Sequence, residues 1–246
     1  MSGVKSRVAI ITGGSRGIGQ AIAELFAENG AKVIIWDLLE EGEAVAENIN
    51  KRGGAAEFVK VSVTDKEGIQ IAVDDAVDKY GKIDILINNA GITRDRSLLK
   101  MSDDEWNSVI DVNLNSIFYC CKAVAPVMKE NGYGRIISAS STTGLRGNYG
   151  QLNYAASKAG ILGMTKTLAV ELGRYGITVN AIAPGYTKTP MTDAIPDNIK
   201  ALAIAQIPVG FLAEPKDLAA GYLFLASDEA RFVSGIVLPI DGGVTR

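Results

Sequence analysis

The chain of 246 residues contains no histidine, so the side chain that most often moves protons near neutral pH is missing. Any acid/base chemistry must fall to another group, and no metal site is expected. Cysteine is almost as scarce. Cys120 and Cys121 are neighbours in a helical-looking stretch where a bridge between them would be strained, so they read as reduced, space-filling thiols of a cytosolic protein. Long apolar runs are missing too: stretches such as "YLFLA" (Tyr222 to Ala226) fall far short of the ~20 residues that span a bilayer. Basic charge is in deficit, with 25 Lys and Arg against 28 Asp and Glu and no basic cluster, which argues against a nucleic-acid backbone as partner. The opening "MSGVKSRVAIITGG" lacks the apolar core and cleavage site of a signal peptide, so a cytoplasmic location is expected. No linker-like tract, low-complexity run or short repeat marks a second domain.

What is present is apolar material, 47% of the chain against 22% charged, enough to cover both faces of a sheet with helices. Strand-length apolar runs occur at 7–12, 32–37, 57–63, 83–88, 134–140, 177–183 and 235–240. Their near-continuous hydrophobicity suits central parallel strands, and the segments between them are long enough for crossover helices. The predicted fold is α/β: one domain over 1–246, doubly wound, with a seven-stranded parallel sheet flanked by helices on both faces. Residues 188–212, "KTPMTDAIPDNIKALAIAQIPVGFL", interrupt the alternation and are expected to form a lid over the sheet's carboxyl edge. Its apolar series Met191, Ala194, Ile195, Ile199 and Leu202 could line a pocket or simply join the core.

The first strand runs into "TGGSRGIG" (Thr12 to Gly19) and then an amphipathic helix. A turn of this kind offers bare N–H groups and the positive end of a helix to a pyrophosphate. The spacing of Gly13, Gly17 and Gly19 is G-x-x-x-G-x-G rather than the G-x-G-x-x-G of the dinucleotide motif, and a merely tight turn is the competing explanation. Asp37, 18 residues after Gly19 at the end of the second strand, favours the dinucleotide, being placed to bind a ribose 2′-hydroxyl. A carboxylate there repels a 2′-phosphate and argues for NAD(H) over NADP(H); Arg16 pulls the other way and keeps NADP(H) possible.

"YAASK" answers the missing histidine. Tyr154 and Lys158 are i and i+4 on one long helix and face the same way. Moving a tyrosine from about 10 towards neutrality needs roughly 4 kcal/mol of preference for the phenolate. One cation ~4 Å away supplies about that much at an effective dielectric near 20, and a looser contact less. A second positive charge, such as an oxidised nicotinamide, would complete the shift.

With "TGGSRGIG", "NNAG" (Asn88 to Gly91), Asn113 in "DVNLNS", Ser141 in "SASSTTG", "YAASK" and "PGYTKT" (Pro184 to Thr189) in this order, the whole chain resembles the short-chain dehydrogenase/reductase family, with its Rossmann-type fold. The resemblance implies that Tyr154 is the general acid/base, that Ser141 holds the substrate oxygen, and that Lys158 binds the nicotinamide ribose and lowers the tyrosine pKa. Asn113 would hold a relay water through its backbone, although it could instead satisfy a helix kink. Ser140 and Ser138 lie nearby, but family spacing and strand alternation select Ser141 over its neighbour Ser140. The cofactor set implied is Gly13, Ser15, Arg16, Gly17, Ile18, Gly19, Asp37, Asp65 at the end of strand three, Asn89, Ala90, Gly91, Tyr154, Lys158, Pro184, Gly185, Thr187 and Thr189. Ser141, Arg146, Gln151, Tyr154 and Met191 would meet the substrate. A homotetramer is also implied.

Within the family, "NNAGITRD", "MSDDEWNSVIDVNL", "GNYGQLNYAASKAG" and "FLASDEARFVSG" are similar to 3-oxoacyl-[acyl-carrier-protein] reductases, implying reduction of a β-ketoacyl thioester at C3. Those reductases usually prefer NADPH and lack an acid at the Asp37 position. Where they carry basic residues that dock the acidic carrier protein, Gly132 and Tyr175 stand here, with Lys129 and Arg174 nearby. An acyl-CoA, or another secondary alcohol, stays open as substrate, and so does a non-catalytic dinucleotide sensor. Arg146, in a loop expected at the pocket mouth, is either a solvated charge or a ligand for an anionic part of the substrate.

Overall fold

The computed structural model describes residues 3–193 and 197–245, the side chains of 197–199 aside. Ala194 and Ile195, and the side chain of Ile199, lie outside the described residues. The seven strands are β1 (Val8–Thr12), β2 (Lys32–Asp37), β3 (Ala55–Lys60), β4 (Ile85–Asn88), β5 (Gly134–Ala139), β6 (Ile177–Pro184) and β7 (Val237–Ile240). They form one wholly parallel sheet in the order β3-β2-β1-β4-β5-β6-β7.

Alternation along these strands builds two cores. Ala9, Ile11, Val33, Ile35, Ile85 and Ile87 point to one face, under α1 (Gly17–Glu28), α2 (Glu41–Lys51) and α10 (Pro215–Ala226). Val8, Ile10, Ile34, Trp36, Leu86 and Ile136 point to the other, under α3 (Lys66–Tyr80), α5 (Ser116–Asn131) and α7 (Leu152–Leu172). The chain runs outward from β1 in one direction and from β4 in the other, so the carboxyl ends of β1 and β4 flank a crevice where ligands of doubly wound sheets bind.

Two boundaries depart from the apolar pattern for visible reasons. The third run extends to residue 63, but the ladder ends at Lys60; Val61 and Val63 are buried after the strand, packed in the second core. Ala55 and Ala56, poor strand formers, pair with Lys32 and Val33 because the neighbouring strand holds them in register.

Between β6 and α10 lie α8 (Pro190–Asp193) and α9 (Asp197–Ala205), inside the stretch expected as an insertion. Its two ends are tied together: Lys188 N donates to Ala213 O (2.9 Å), Ala213 N to Tyr186 O (3.1 Å), and Lys188 pairs with Glu214.

Candidate active site

The glycine turn is clasped by a residue the motif reading passed over. Thr12 Oγ1 accepts from Asn89 N (3.0 Å) and Ala90 N (3.1 Å) and donates to Ile87 O (3.3 Å), joining the ends of β1 and β4. Asn89 Nδ2 returns bonds to the carbonyls of Thr12 and Gly13, both at 3.1 Å. The glycines serve close approach: a Cβ on Gly19 would lie 2.0 Å from Gly13 O, and one on Gly13, at φ +66°, 2.9 Å from Ala90 Cα. Gly17, at φ +58°, faces Thr189, where a Cβ would meet Cγ2 at 3.4 Å. The cradle has backbone on one wall and the 184–189 segment on the other, so the residues present fit a dinucleotide pyrophosphate. Ser15 and Ile18 lie in this turn, and Arg16 is exposed at its rim. Pro184 ends β6 with Gly185 just after it, and buried Thr187 donates to Gly185 O (3.1 Å).

Asp37 is fixed beside the turn. Its Oδ2 accepts from Ser15 N (3.0 Å) and its Oδ1 from Leu38 N (2.8 Å) and Leu39 N (3.1 Å). Asp65 is not at a strand end. It lies five residues past β3, as the N-cap of α3, where Oδ1 accepts from Gly68 N (3.1 Å).

Ser141 also lies beyond its strand, as the N-cap of the short helix α6 (Thr142–Arg146), accepting from Thr143 N (3.1 Å). Its two rivals are committed elsewhere: Ser140 donates to Lys158 O (2.9 Å), and Ser138 accepts from Asn88 Nδ2 (3.3 Å). Helix α6 packs directly on α7, where a Cβ on Gly144 would lie 2.7 Å from the Lys158 carbonyl carbon. Ser141 is thereby brought to Tyr154, with which it hydrogen-bonds.

Lys158 Nζ is 3% exposed as a residue, donates to Ala139 O (2.7 Å) and lies 5.5 Å from the Tyr154 ring centroid. Burial lowers its pKa to about 8. Tyr154 is displaced the other way from the expected direction: burial raises its pKa, the Ser141 hydrogen bond opposes this, and the charge of Asp95 adds to it. Lys158 alone does not activate the phenol, and the free protein keeps Tyr154 protonated.

Asn113 sits at 0% exposure in a π-helical turn, Asp111–Asn115, between α4 (Asp103–Ile110) and α5. Its side chain is spent on the fold: Oδ1 accepts from Ile92 N (2.8 Å), and Nδ2 donates to Ile92 O (2.9 Å) and Ser157 Oγ (3.3 Å). Any relay role falls to its backbone. Gly91 closes over this point, its Cβ position 3.2 Å from Asn113 Oδ1 and 3.5 Å from Lys158 Nζ.

Gln151, at the start of α7, donates to Asp95 Oδ2 (2.8 Å) and accepts from Asn148 Nδ2 (3.0 Å). Asp95 went unremarked in the sequence although it ends "NNAGITRD", and its influence on Tyr154 shows only in three dimensions. Met191 stands half-exposed on α8, away from the core clusters. Arg146 ends α6 rather than lying in a loop, and lines a cavity of about 430 Å³.

A family profile described as "Enoyl-(Acyl carrier protein) reductase" matches residues 13–245, nearly the whole chain. The chain belongs to the short-chain dehydrogenase/reductase family. It is therefore an NAD(P)-dependent oxidoreductase. Similar proteins include the 3-oxoacyl-[acyl-carrier-protein] reductase FabG of Chlamydia muridarum, 46% identical over 241 residues, 97% of each chain. That of Thermotoga maritima is 44% identical over 242 residues, 98% of each. Among solved structures, gox2181 matches at a TM-score of 0.96 and 36% identity, covering 99% of this chain and 97% of that one. A putative NAD(P)-dependent gluconate 5-dehydrogenase from Beutenbergia cavernae, with NADP bound at low occupancy, matches at 0.95 and 36%, covering 99% and 98%. In this family's terms, the structure brings Ser141, Tyr154, Lys158, Asn113 and Gly91 to one place at the carboxyl edge of the sheet.

Proposed function

We propose that the protein reduces a 3-oxoacyl thioester to the 3-hydroxyacyl product, with NADH preferred over NADPH. The observation that carries this reading is the meeting of Ser141 with a protonated Tyr154 beside buried Lys158. Bound NAD(P)H supplies the hydride that reduces the ketone carbon. Ser141 Oγ hydrogen-bonds the ketone oxygen and steadies it as charge develops there. Tyr154 donates its proton to that oxygen, a task suited to a phenol whose surroundings hold the proton on. Lys158 binds the nicotinamide ribose and, with the Asn113 backbone, restores the proton.

The full-length likeness to FabG proteins supports a thioester substrate. For docking an acidic carrier, Lys129 and Arg174 offer a small cationic spot, stacked 4.9 and 4.7 Å from the Tyr175 ring centroid. A homotetramer acting in the cytoplasm belongs to the same reading; exposed Phe118, Val170 and Phe232 supply apolar surface for assembly. A second reading, oxidation of a small hydroxy acid, is favoured by the structural likeness to the gluconate 5-dehydrogenase and by Arg146, which has no ion pair among the described residues.

The test is a panel of acetoacetyl-CoA, an acetoacetyl carrier-protein thioester, crotonyl-CoA and gluconate, followed at the NADH absorbance band with each cofactor. Reduction of the acetoacetyl thioesters but not of crotonyl-CoA is expected. Turnover of gluconate alone would transfer the assignment to the second reading.

Asp37 supports the cofactor preference, because a 2′-phosphate brought to its fixed carboxylate meets like charge. We expect kcat/KM with NADH to exceed that with NADPH by about tenfold, the effect of roughly 1.4 kcal/mol. Asp37→Ser should narrow or reverse the ratio. An unchanged ratio, in a variant whose melting shows it folded, would remove Asp37 from the cofactor choice.

A further inference from the structure

We propose that the cavity at the end of α6 is an oxyanion-binding subsite, in which Arg146 holds a carboxylate or phosphate of the substrate remote from the reacting ketone. The proposal rests on the reductase reading above and extends it to the part of the substrate that undergoes no chemistry.

The cavity, about 430 Å³, lies between the α6–α7 connection and α9, with Arg146, Asn148, Tyr186 and Gln206 as its polar lining and Leu202 among its apolar residues. None of its lining residues among those described is acidic. Among the described residues, three guanidinium groups pair with carboxylates, Arg7 with Asp84, Arg96 with Glu105 and Arg135 with Asp228, while Arg16, Arg52, Arg94, Arg174 and Arg231 are exposed; Arg146 differs from these in facing a cavity without an acidic wall. Arg146 makes no hydrogen bond or ion pair among the described residues. A cation without a counter-ion among the described residues, beside two amides and a phenol that can donate, has the chemistry of a bidentate anion site.

Position ties this cavity to catalysis. Ser141 caps α6 and Arg146 is its last residue, five positions on. At the helical rise that is about 7.5 Å along one rigid turn-and-a-half, so the anion is held at a set distance from the ketone oxygen bound at Ser141. The far wall is α9, in the insertion between β6 and α10, so an anion seated on Arg146 also touches the segment expected to cover the site.

The oxyanion has two possible sources: a phosphate on the thiol carrier, or a carboxylate at the far end of the acyl chain. Three thioesters separate them: neutral acetoacetyl-N-acetylcysteamine, acetoacetyl-CoA, and the N-acetylcysteamine thioester of 3-oxooctanedioate with its terminal carboxylate free. For Arg146→Gln, kcat/KM of an anionic substrate relative to the neutral one should fall by about tenfold or more, the effect of losing a charge-assisted bond. Arg146→Lys should restore part of it, and added salt should mimic the loss. A drop confined to acetoacetyl-CoA assigns the phosphate; a drop confined to the octanedioyl substrate assigns the carboxylate. Equal effects on all three substrates overturn the proposal.

Calorimetric titration of free coenzyme A and of octanedioate into the NADH-loaded protein reads the same site without turnover. Weaker binding of either by Arg146→Gln supports the subsite even if no thioester is reduced, in which case the reductase reading alone fails. Unaltered affinity, or no binding of either probe to the unsubstituted protein, overturns it.

Discussion

Tyr154→Phe should lower kcat by at least about a thousandfold while NADH binding stays within twofold, read by stopped absorbance assays and by titration of NADH fluorescence. General acid/base groups contribute roughly 10² to 10⁴, and without histidine no neighbouring imidazole can substitute. The substitution removes one hydroxyl. What seats the residue survives it, because Asn153 Oδ1 accepts from Tyr154 N (2.7 Å) and Ser157 Oγ donates to Tyr154 O (2.8 Å), both through backbone. Asn153 is itself anchored to the carbonyls of Arg94 (3.0 Å) and Glu105 (2.8 Å). A lost rate in Tyr154→Phe therefore reports the missing proton donor rather than a displaced helix. Activity within tenfold of the parent would remove Tyr154 from the mechanism and leave a water as the donor.

The same residues show where a sequence can be read and where it cannot. Strands announce themselves because alternation on a doubly covered sheet is written in consecutive residues: Val8, Ile10 on one face, Ala9, Ile11 on the other. The glycine turn and the Tyr154–Lys158 pair are equally local, eight and five residues long. Thr12 and Asp95 are not. Thr12 acts on Asn89 and Ala90, more than 70 positions away, and Asp95 on Gln151 and Tyr154, more than 50 away. No period or spacing encodes such pairs; the sheet order creates them. The direction of the Tyr154 shift was illegible for the same reason. A pair at i and i+4 suggests a cation beside a phenol. What dominates in the fold is the burial of both groups and the diversion of Lys158 Nζ to Ala139 O.

Lys158→Met is the second large effect, and its signature is a pH dependence of stability. Burial takes the ammonium from 10.5 to about 8, so holding it charged in the folded state costs about 3 kcal/mol. Below pH 8 both folded and unfolded chains carry the proton and the whole penalty is present. Between about 8 and 10.5 the unfolded chain binds more protons, so the stability of the parent protein rises with pH and the penalty disappears. Methionine fills a similar volume without the charge. It leaves Ala139 O without its 2.7 Å donor, a cost of about 1 to 3 kcal/mol, but that cost does not change with pH. Urea unfolding of the cofactor-free proteins at pH 7 to 10.5 should thus show the variant's stability relative to the parent falling by about 3 kcal/mol across the range, whatever its sign at pH 7. Below pH 8, where Lys158 is charged, turnover should fall by two or more orders of magnitude, because the phenol loses its neighbouring cation. A stability difference flat with pH would mean that Lys158 is not held as a buried, titrating ammonium. The free enzyme would then store no electrostatic strain for a bound cofactor to relieve.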